Sequence, residues 1–504
     1  MTTSETSTVR TYGNWRRPQS AGLFGLGSGG TAVMMGGLVL VVLVTMAAGL
    51  LRGLALFAVL AGLLGSVAVK DSHGRSLAER TRIRLAWATA RHRGAHLYRS
   101  GPLGYTAWGT HQLPGIAASL RLSEHQDAYG RPFALLYAPA TNTYTVPLAA
   151  SPDGAALVDR DQVDVWVSDW GHWLANLADE PGLQACQVSI ETAPDSGHDL
   201  RTAVQAAIDP HAPAFATTML RQVVDAYPVG SSITRAWVAL TFSAASPATG
   251  ATRDPAAMGR DLGTRLPGLV DTLRATGAGA VRPLPARELC ELVRVAYDPA
   301  AAPLIDQTHT IGSTDDADAL SWAQVGPVAA QAHWDGYRHD SGYSVTWAMS
   351  TAPRGVVQSS VLDRLLAPHP DIDRKRVTIV YRPIDAAKAA AIVEADLRAA
   401  EFVASASKKP TARSVTAARA AAATAAEEAG GAGLVNFAVL VTATVTDPDR
   451  APQARAAIDT LAATARLRLR PVYGGQPAAF AAALPLGLIL PKHLSRAETL
   501  PGQL

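Results

Sequence analysis

Cysteine is nearly absent from this 504-residue chain, which holds Cys186 and Cys290 and no others. A pair so far apart, in a region read below as cytoplasmic, is expected to be two reduced core thiols rather than a bridge. Two cysteines also leave no paired-cysteine zinc site. No G-x-x-x-x-G-K-[S/T] stretch occurs, so no P-loop is present to cradle phosphate. A strand–serine–helix elbow of the G-x-S-x-G type is missing too, which argues against a hydrolase of that architecture. Aromatic residues are 6%, with no RNP-like strand for RNA stacking. Charged residues are 17% and the net charge is +3, so no direct contact with nucleic acid is expected. Arginine far outnumbers lysine in a composition rich in Ala and Gly, a bias associated with high-GC bacterial genomes.

Long apolar runs are present instead. Thr31–Leu51 and Gly53–Val69 flank a single charge at Arg52. Each is about the length that spans a hydrocarbon core as a helix, the second marginally. The connection Gly49–Gly53 is short enough to require a tight turn, so residues 21–70 read as a transmembrane helical hairpin. A cleaved signal peptide would not be followed at once by a second apolar run. A soluble buried pair would keep a polar face on each helix. One long span would strand Arg52 at mid-membrane, at about 2.5–3.5 kcal/mol. Arg10, Arg16 and Arg17 precede the hairpin, and Lys70, Arg75, Arg80, Arg82, Arg84, Arg91 and Arg93 follow it. The positive-inside rule therefore places both termini and the main domain in the cytoplasm of a bacterium, with the turn outside the inner membrane. Tyr12 and Trp15 sit at interfacial depth, and the basic helix within 71–103 (Ser76–His96) suits anionic headgroups.

The rest reads as an α/β (α+β) cytoplasmic region: residues 1–20 are a tail, 104–250 a first α/β domain and 251–504 a second. Strands are expected at Ile116–Leu122, Pro132–Tyr137, Thr143–Pro147, Ala185–Thr192 and Arg235–Phe242. Helices are expected at Val163–Leu177, Leu200–Ile208 and Ala214–Ala226, which suggests a sheet covered by helices on one face. Ser243–Pro255 suits a boundary. In the second domain, helices at Met258–Thr276 and Ala286–Tyr297 flank a strand at Val281–Leu284. Pro303–Asp318 reads as an exposed loop, and Ala330–Arg338, Ser341–Ala348 and Arg376–Tyr381 as strands. The Ala-rich stretch 384–429 reads as a long helical hairpin with its tip at Lys408-Lys409-Pro410, closed by Gly430–Gly433. Leu434–Thr446 (strand), Ala451–Ala465 (helix), Leu467–Val472 (strand) and Pro477–Leu484 (helix) complete the pattern.

Several groups of chemically active residues have simpler readings than catalysis. Gly25-x-Gly27-x-x-Gly30 has the form of a dinucleotide fingerprint but leads into lipid rather than into a βαβ unit, so a hinge is the better reading. Asp315, Asp316 and Asp318 have the chemistry of a divalent-cation site, yet they precede Ala319–Trp322, where acidic residues favour a helix N-terminus. His92 and His96 lack a carboxylate or thiol companion. His333, His339, Asp340 and Ser341 lie close in sequence, which does not establish a triad. Trp166, Trp170 and Trp173 form a helical stripe, expected to pack on the sheet rather than stack a ligand. No catalytic residue, cofactor site or metal site is assigned, and the isolated protein is expected neither to bind ATP tightly nor to hydrolyse it.

The opening stretch, Thr11-Tyr12-Gly13-Asn14-Trp15-Arg16-Arg17-Pro18 and Gly22-Leu23-Phe24-Gly25-Leu26-Gly27, resembles an actinobacterial family of integral membrane proteins grouped with PrgI-like proteins of conjugation or type IV secretion-like clusters. The C-terminal two-thirds resembles the N-terminal, non-motor part of VirB-type conjugation ATPases, most specifically through Leu469-Arg470-Pro471 and the Ala482–Gly487 run that precedes the motor in those proteins. This sequence stops where the motor would begin, so ATPase activity is not carried over. The resemblance implies a non-enzymatic inner-membrane component that docks or scaffolds a motor ATPase and channel subunits, with membrane lipid as a further partner and self-association left open. A membrane subunit of another export system, such as a type VII-like one, and a membrane-tethered metal enzyme using the three aspartates are the competing readings.

Overall fold

The computed structural model describes residues 10–13, 15, 27–69, 71, 73–104, 106, 109–154, 157–209, 211–226, 231–246, 249–311, 320–353, 355–406 and 409–494. Two apolar helices come first, α1 (Gly27–Ala48) and α2 (Leu50–Ala68), then α3 (Leu77–His92) and β1 (Leu97–Arg99). The reversal between α1 and α2 is tighter than expected: Gly49 alone breaks the helix, at φ 93°, and Arg52 lies in the first turn of α2 rather than in the turn. A residue without a Cβ adopts that left-handed backbone at little cost.

The remaining chain builds one almost wholly antiparallel sheet from two similar successions of elements. The first is β2 (Arg121–Gln126), β3 (Pro132–Ala138), β4 (Thr143–Ser151), α4 (Arg160–Asn176), β5 (Leu183–Pro194), α5 (His198–Ala207), α6 (Ala214–Ala226), β6 (Ser232–Ser243), α7 (Pro255–Leu273), β7 (Ala280–Pro283) and α8 (Ala286–Tyr297). A short helix, α9 (Ala302–Ile311), follows. The second succession is β8 (Ala329–Ala332), β9 (Tyr337–His339), β10 (Gly342–Thr351), α10 (Asp363–Leu366), β11 (Arg374–Pro383), α11 (Ala386–Ser405), α12 (Ala412–Ala429), β12 (Val435–Val445), α13 (Ala451–Thr464), β13 (Arg468–Pro471) and α14 (Gln476–Ala482).

The sheet order is β1-β8-β9-β10-β12-β11-β5-β6-β4-β3-β2, with β7 added to β4 and β13 added to β10. Read outward from its middle, each half has the same order. The register agrees as well. Thr145 lies opposite Thr241 as Ser344 lies opposite Thr444, and Leu148 opposite Pro283 as Trp347 opposite Pro471. The two halves are thus related by an approximate two-fold axis, and they join where β5 pairs with β11. Along β4 and β10 the sequences Tyr-Thr-Val-Pro-Leu-Ala-Ala-Ser (144–151) and Tyr-Ser-Val-Thr-Trp-Ala-Met-Ser (343–350) keep Tyr, Val, Ala and Ser in step.

Helices cover both faces of this sheet, not one as the element order suggests. On one face, α4 and α7 close a cluster containing Trp173, Leu174, Met258, Leu262, Leu266 and Val270, while α10 and α13 close its counterpart around Leu365, Ile458 and Leu461. The other face is covered by α8, through Leu289 and Val293, and by the segment Phe480–Leu488. Strand side chains alternate between faces, and in β6 and β12 both sets are apolar: Val238 and Val441 point one way, Trp237 and Leu440 the other. That two-sided pattern requires cover on both faces.

Three other expectations change. Ile116–Leu122 is not a strand: Gly115, at φ 62°, starts a tight turn over Gly115–Ala117, and pairing begins at Arg121. Ala330–Arg338 is a hairpin of two short strands, turned where the His333 N–H donates to the Gly336 carbonyl at 2.8 Å. The first part of the expected loop Pro303–Asp318 is helical, as α9.

Candidate functional site

The region where the apolar hairpin meets the sheet concentrates contacts that a soluble fold does not require. Both helices qualify by length and composition as membrane spans, at Thr31–Ala48 and Leu50–Val67, and almost none of their residues is buried. They meet each other at small residues. A Cβ on Gly37 would lie 2.6 Å from Leu60, and one on Gly53 would overlap Thr45, whose hydroxyl is returned to the Val41 carbonyl at 2.7 Å. Close backbone approach through small residues is the usual basis of helix association in lipid.

Past α2 the chain is held by a compact turn. The Asp71 carboxylate accepts from the backbone N–H groups of His73 and Arg75 at 2.9 and 3.0 Å, and these bonds help hold its pKa below the ordinary carboxylate value. His73 Nδ1 lies 3.2 Å from Ser350 Oγ, at the C-terminal end of β10. Ser76 caps α3 by accepting from the Glu79 N–H at 3.2 Å. Further along α3, Trp87 meets Trp334 edge-on with ring centres 6.1 Å apart, and Trp334 stacks on Tyr473. Gly474 permits this approach, since a Cβ there would lie 3.0 Å from the Trp334 ring.

A second strap comes from the N-terminal tail. Tyr12 forms a backbone bridge with Val357, and its hydroxyl donates to Asp164 on α4 at 3.0 Å. Tyr12 thus bonds to the folded region as well as preceding the first apolar helix. Residues 19–79 match a domain of unknown function, DUF8461. No curated protein matches the chain. The matched stretch takes in both apolar helices and the Asp71 turn and ends in the first residues of α3.

A buried polar belt crosses the sheet at the two-fold axis. Ser189 Oγ and Thr378 Oγ1 are 3.1 Å apart, and both donate to the Ala483 carbonyl, at 3.2 and 2.8 Å. Gln187 Nε2 donates to the Leu484 carbonyl at 2.7 Å. Ala482–Gly487, expected from the family resemblance to lead towards a motor, is here a buried strap whose carbonyls satisfy the belt. Beside it, Glu191 accepts from Arg374 at 2.6 Å and pairs with Arg376. Burial pushes the Glu191 carboxyl up, but the Arg376 and Arg374 guanidiniums outweigh it and bring the pKa down to about 2. Such a belt is structural: every group named has a partner within the fold.

The residues singled out from sequence do not converge. Asp315, Asp316 and Asp318 lie outside the described residues, as do Gly25 and Lys408. Among the described residues no three His, Cys, Asp or Glu side chains are placed to hold a metal. His339 is buried, bonded through Nδ1 to the Tyr297 carbonyl at 2.6 Å and through Nε2 to Ser344 at 2.8 Å. Asp340 instead accepts from the Val328 and Ala329 N–H groups, and Ser341 donates to Asp298. Trp173 is buried against the sheet and Trp170 stacks on it. Cys186 and Cys290 are free, buried and in clusters on opposite faces, which precludes a bridge. Gly430 and Gly431 end α12, with the Gly431 and Ala432 N–H groups returned to Glu428 and Glu427.

Proposed function

We propose that this protein is a non-catalytic inner-membrane component of a conjugation or type IV secretion-like machine, holding a large cytoplasmic body at the bilayer to dock a motor ATPase and channel subunits. The observation that carries the reading is the double latch: His73 on Ser350 and Tyr12 on Asp164 tie the apolar hairpin to the sheet from both of its flanks. A flexible tether needs neither contact. A component that positions a partner relative to the membrane needs the body fixed. The cytoplasmic placement rests on the arginines flanking the hairpin. On this reading α11 and α12, which pack against each other, correspond to the long helical hairpin expected over 384–429.

Crosslinking in native membranes followed by identification of the captured chains tests the proposal. Recovery of a motor ATPase and channel subunits is expected; their consistent absence sinks the secretion reading. Orientation is tested separately. With both native thiols buried, a cysteine replacing Arg52 is expected to react with a membrane-impermeant reagent from outside intact cells, and one replacing the exposed Leu157 is not. The reverse pattern overturns the cytoplasmic placement.

A further inference from the structure

The two-fold axis makes the helix pairs α5–α6 and α11–α12 equivalent: each is inserted between the two strands that follow the central junction. They leave opposite ends of the sheet, because β5 and β11 are antiparallel. β10 and β11 both run antiparallel to β12, so they run parallel to each other and end on the same side. The end of β10 carries Ser350, the attachment point of the membrane hairpin. Thus α11–α12 departs from the end of the sheet that faces the anchor, and α5–α6 from the far end.

The two pairs differ at their outer ends. α11 has 20 residues, about 30 Å of helix. Its outer part exposes Phe402 and Val403, at 73% and 54% of their full surface, with Ile392 exposed further back. Across the turn stand exposed Lys409 and Arg413. The far pair also exposes an apolar stripe, Phe215, Met219 and Val223 on α6, where Arg221 and Asp225 leave no net charge. A 30 Å rod leaving the anchor end cannot run straight into hydrocarbon, since Glu394, Asp396, Arg398 and Arg419 lie along it and charges at that depth are costly. An amphipathic segment with apolar residues beside basic ones instead lies in the headgroup layer.

We propose that the outer end of α11–α12 binds the anionic bilayer surface beside the anchor, with Phe402 and Val403 entering the headgroup boundary and Lys409 and Arg413 meeting lipid phosphates. This rests on the membrane-anchor reading of α1–α2. The contact turns a single anchoring point into two and sets the tilt of the sheet relative to the membrane.

The test uses the full chain reconstituted in vesicles, with Phe402→Cys carrying an environment-sensitive fluorophore; Cys186 and Cys290 are buried and do not compete for label. In vesicles containing anionic lipid the probe is expected to shift to the blue and to be quenched by lipid-borne quencher, whereas a probe at Phe215→Cys stays aqueous. Each basic residue near an anionic surface contributes about a fivefold change in partitioning, so Lys409→Glu with Arg413→Glu, or vesicles of neutral lipid alone, should return the probe to water. A Phe402 probe reached only by aqueous quencher, in a chain that still floats with the vesicles, overturns the arm contact and leaves the anchor intact. Equal quenching in neutral and anionic vesicles overturns the role of the cations. Failure of the chain to float with vesicles overturns the anchor and this proposal together.

Discussion

Ser189 and Thr378 face each other across the junction of the two halves, their hydroxyls 3.1 Å apart. They lie opposite each other in the β5–β11 register, and each occupies in its own half the place the other holds in its own. The approximate two-fold axis therefore runs through this pair, and one carbonyl, that of Ala483, accepts from both. The halves are symmetric, but a single strap closes them.

Replacing Thr378 by Val removes a donor while keeping shape, and leaves the Ala483 carbonyl and Ser189 to share what remains. Losing one buried hydrogen bond while its acceptor keeps another donor costs about 0.5–1.5 kcal/mol. A loss of that order is expected in denaturant unfolding of the detergent-solubilised chain; an unchanged midpoint would mean that the strap does not depend on the belt.

Glu191 is the counter-charge for two largely buried guanidiniums. Glu191→Gln leaves Arg374 and Arg376 without it, and breaking a buried pair in this way costs about 3–5 kcal/mol. The folded pKa, about 2, lies below the ordinary value of 4.5, so the carboxylate's contribution is complete above the ordinary value and is lost as pH falls from there towards 2. The wild-type unfolding midpoint should fall over that window and the Gln variant should lack this component.

His339 titrates in a separate range. Burial brings its pKa down to about 4 from 6.5, and the neutral ring donates to the Tyr297 carbonyl while accepting from Ser344. The unfolded chain binds the proton first on acidification, so stability is fully present above pH 6.5 and declines as pH falls through 4. His339→Asn should flatten that part of the profile; thermal melts across the range measure it.

Lys375 is buried on the opposite face of β11, donating to the Ala367 carbonyl, and burial lowers its pKa from 10.5 to about 8. Between those values the unfolded chain holds a proton that the folded one has shed, so stability rises with pH across the window. Lys375→Met removes the buried charge. It should raise the melting temperature at neutral pH and abolish the alkaline rise; a lower melting temperature would show that the bond to Ala367 outweighs the desolvation.

Local chemistry in the sequence determined the apolar helices, the alternating strands from Pro132 to Phe242, the α4 stripe that seats Trp173, and the helix stop at Gly430. These follow from hydrophobic period and backbone freedom, which neighbouring residues decide among themselves. Reading failed where the partner is distant. Nothing around Tyr12 announces that Asp164, 152 residues away, accepts from its hydroxyl. Ala482–Gly487 is expected, by resemblance, only as a run that precedes a motor, yet carbonyls at its start accept from Ser189, Gln187 and Thr378. The two-fold relation, too, is faint in sequence, because matching positions need equal shape and register and tolerate different residues: Leu148 and Trp347 share a place in the sheet and little else. Which end of that sheet lies beside the apolar hairpin was decided by the His73–Ser350 contact together with strand pairing, since direction in a sheet is set by which strands hydrogen-bond, and no stretch of the chain carries that information by itself.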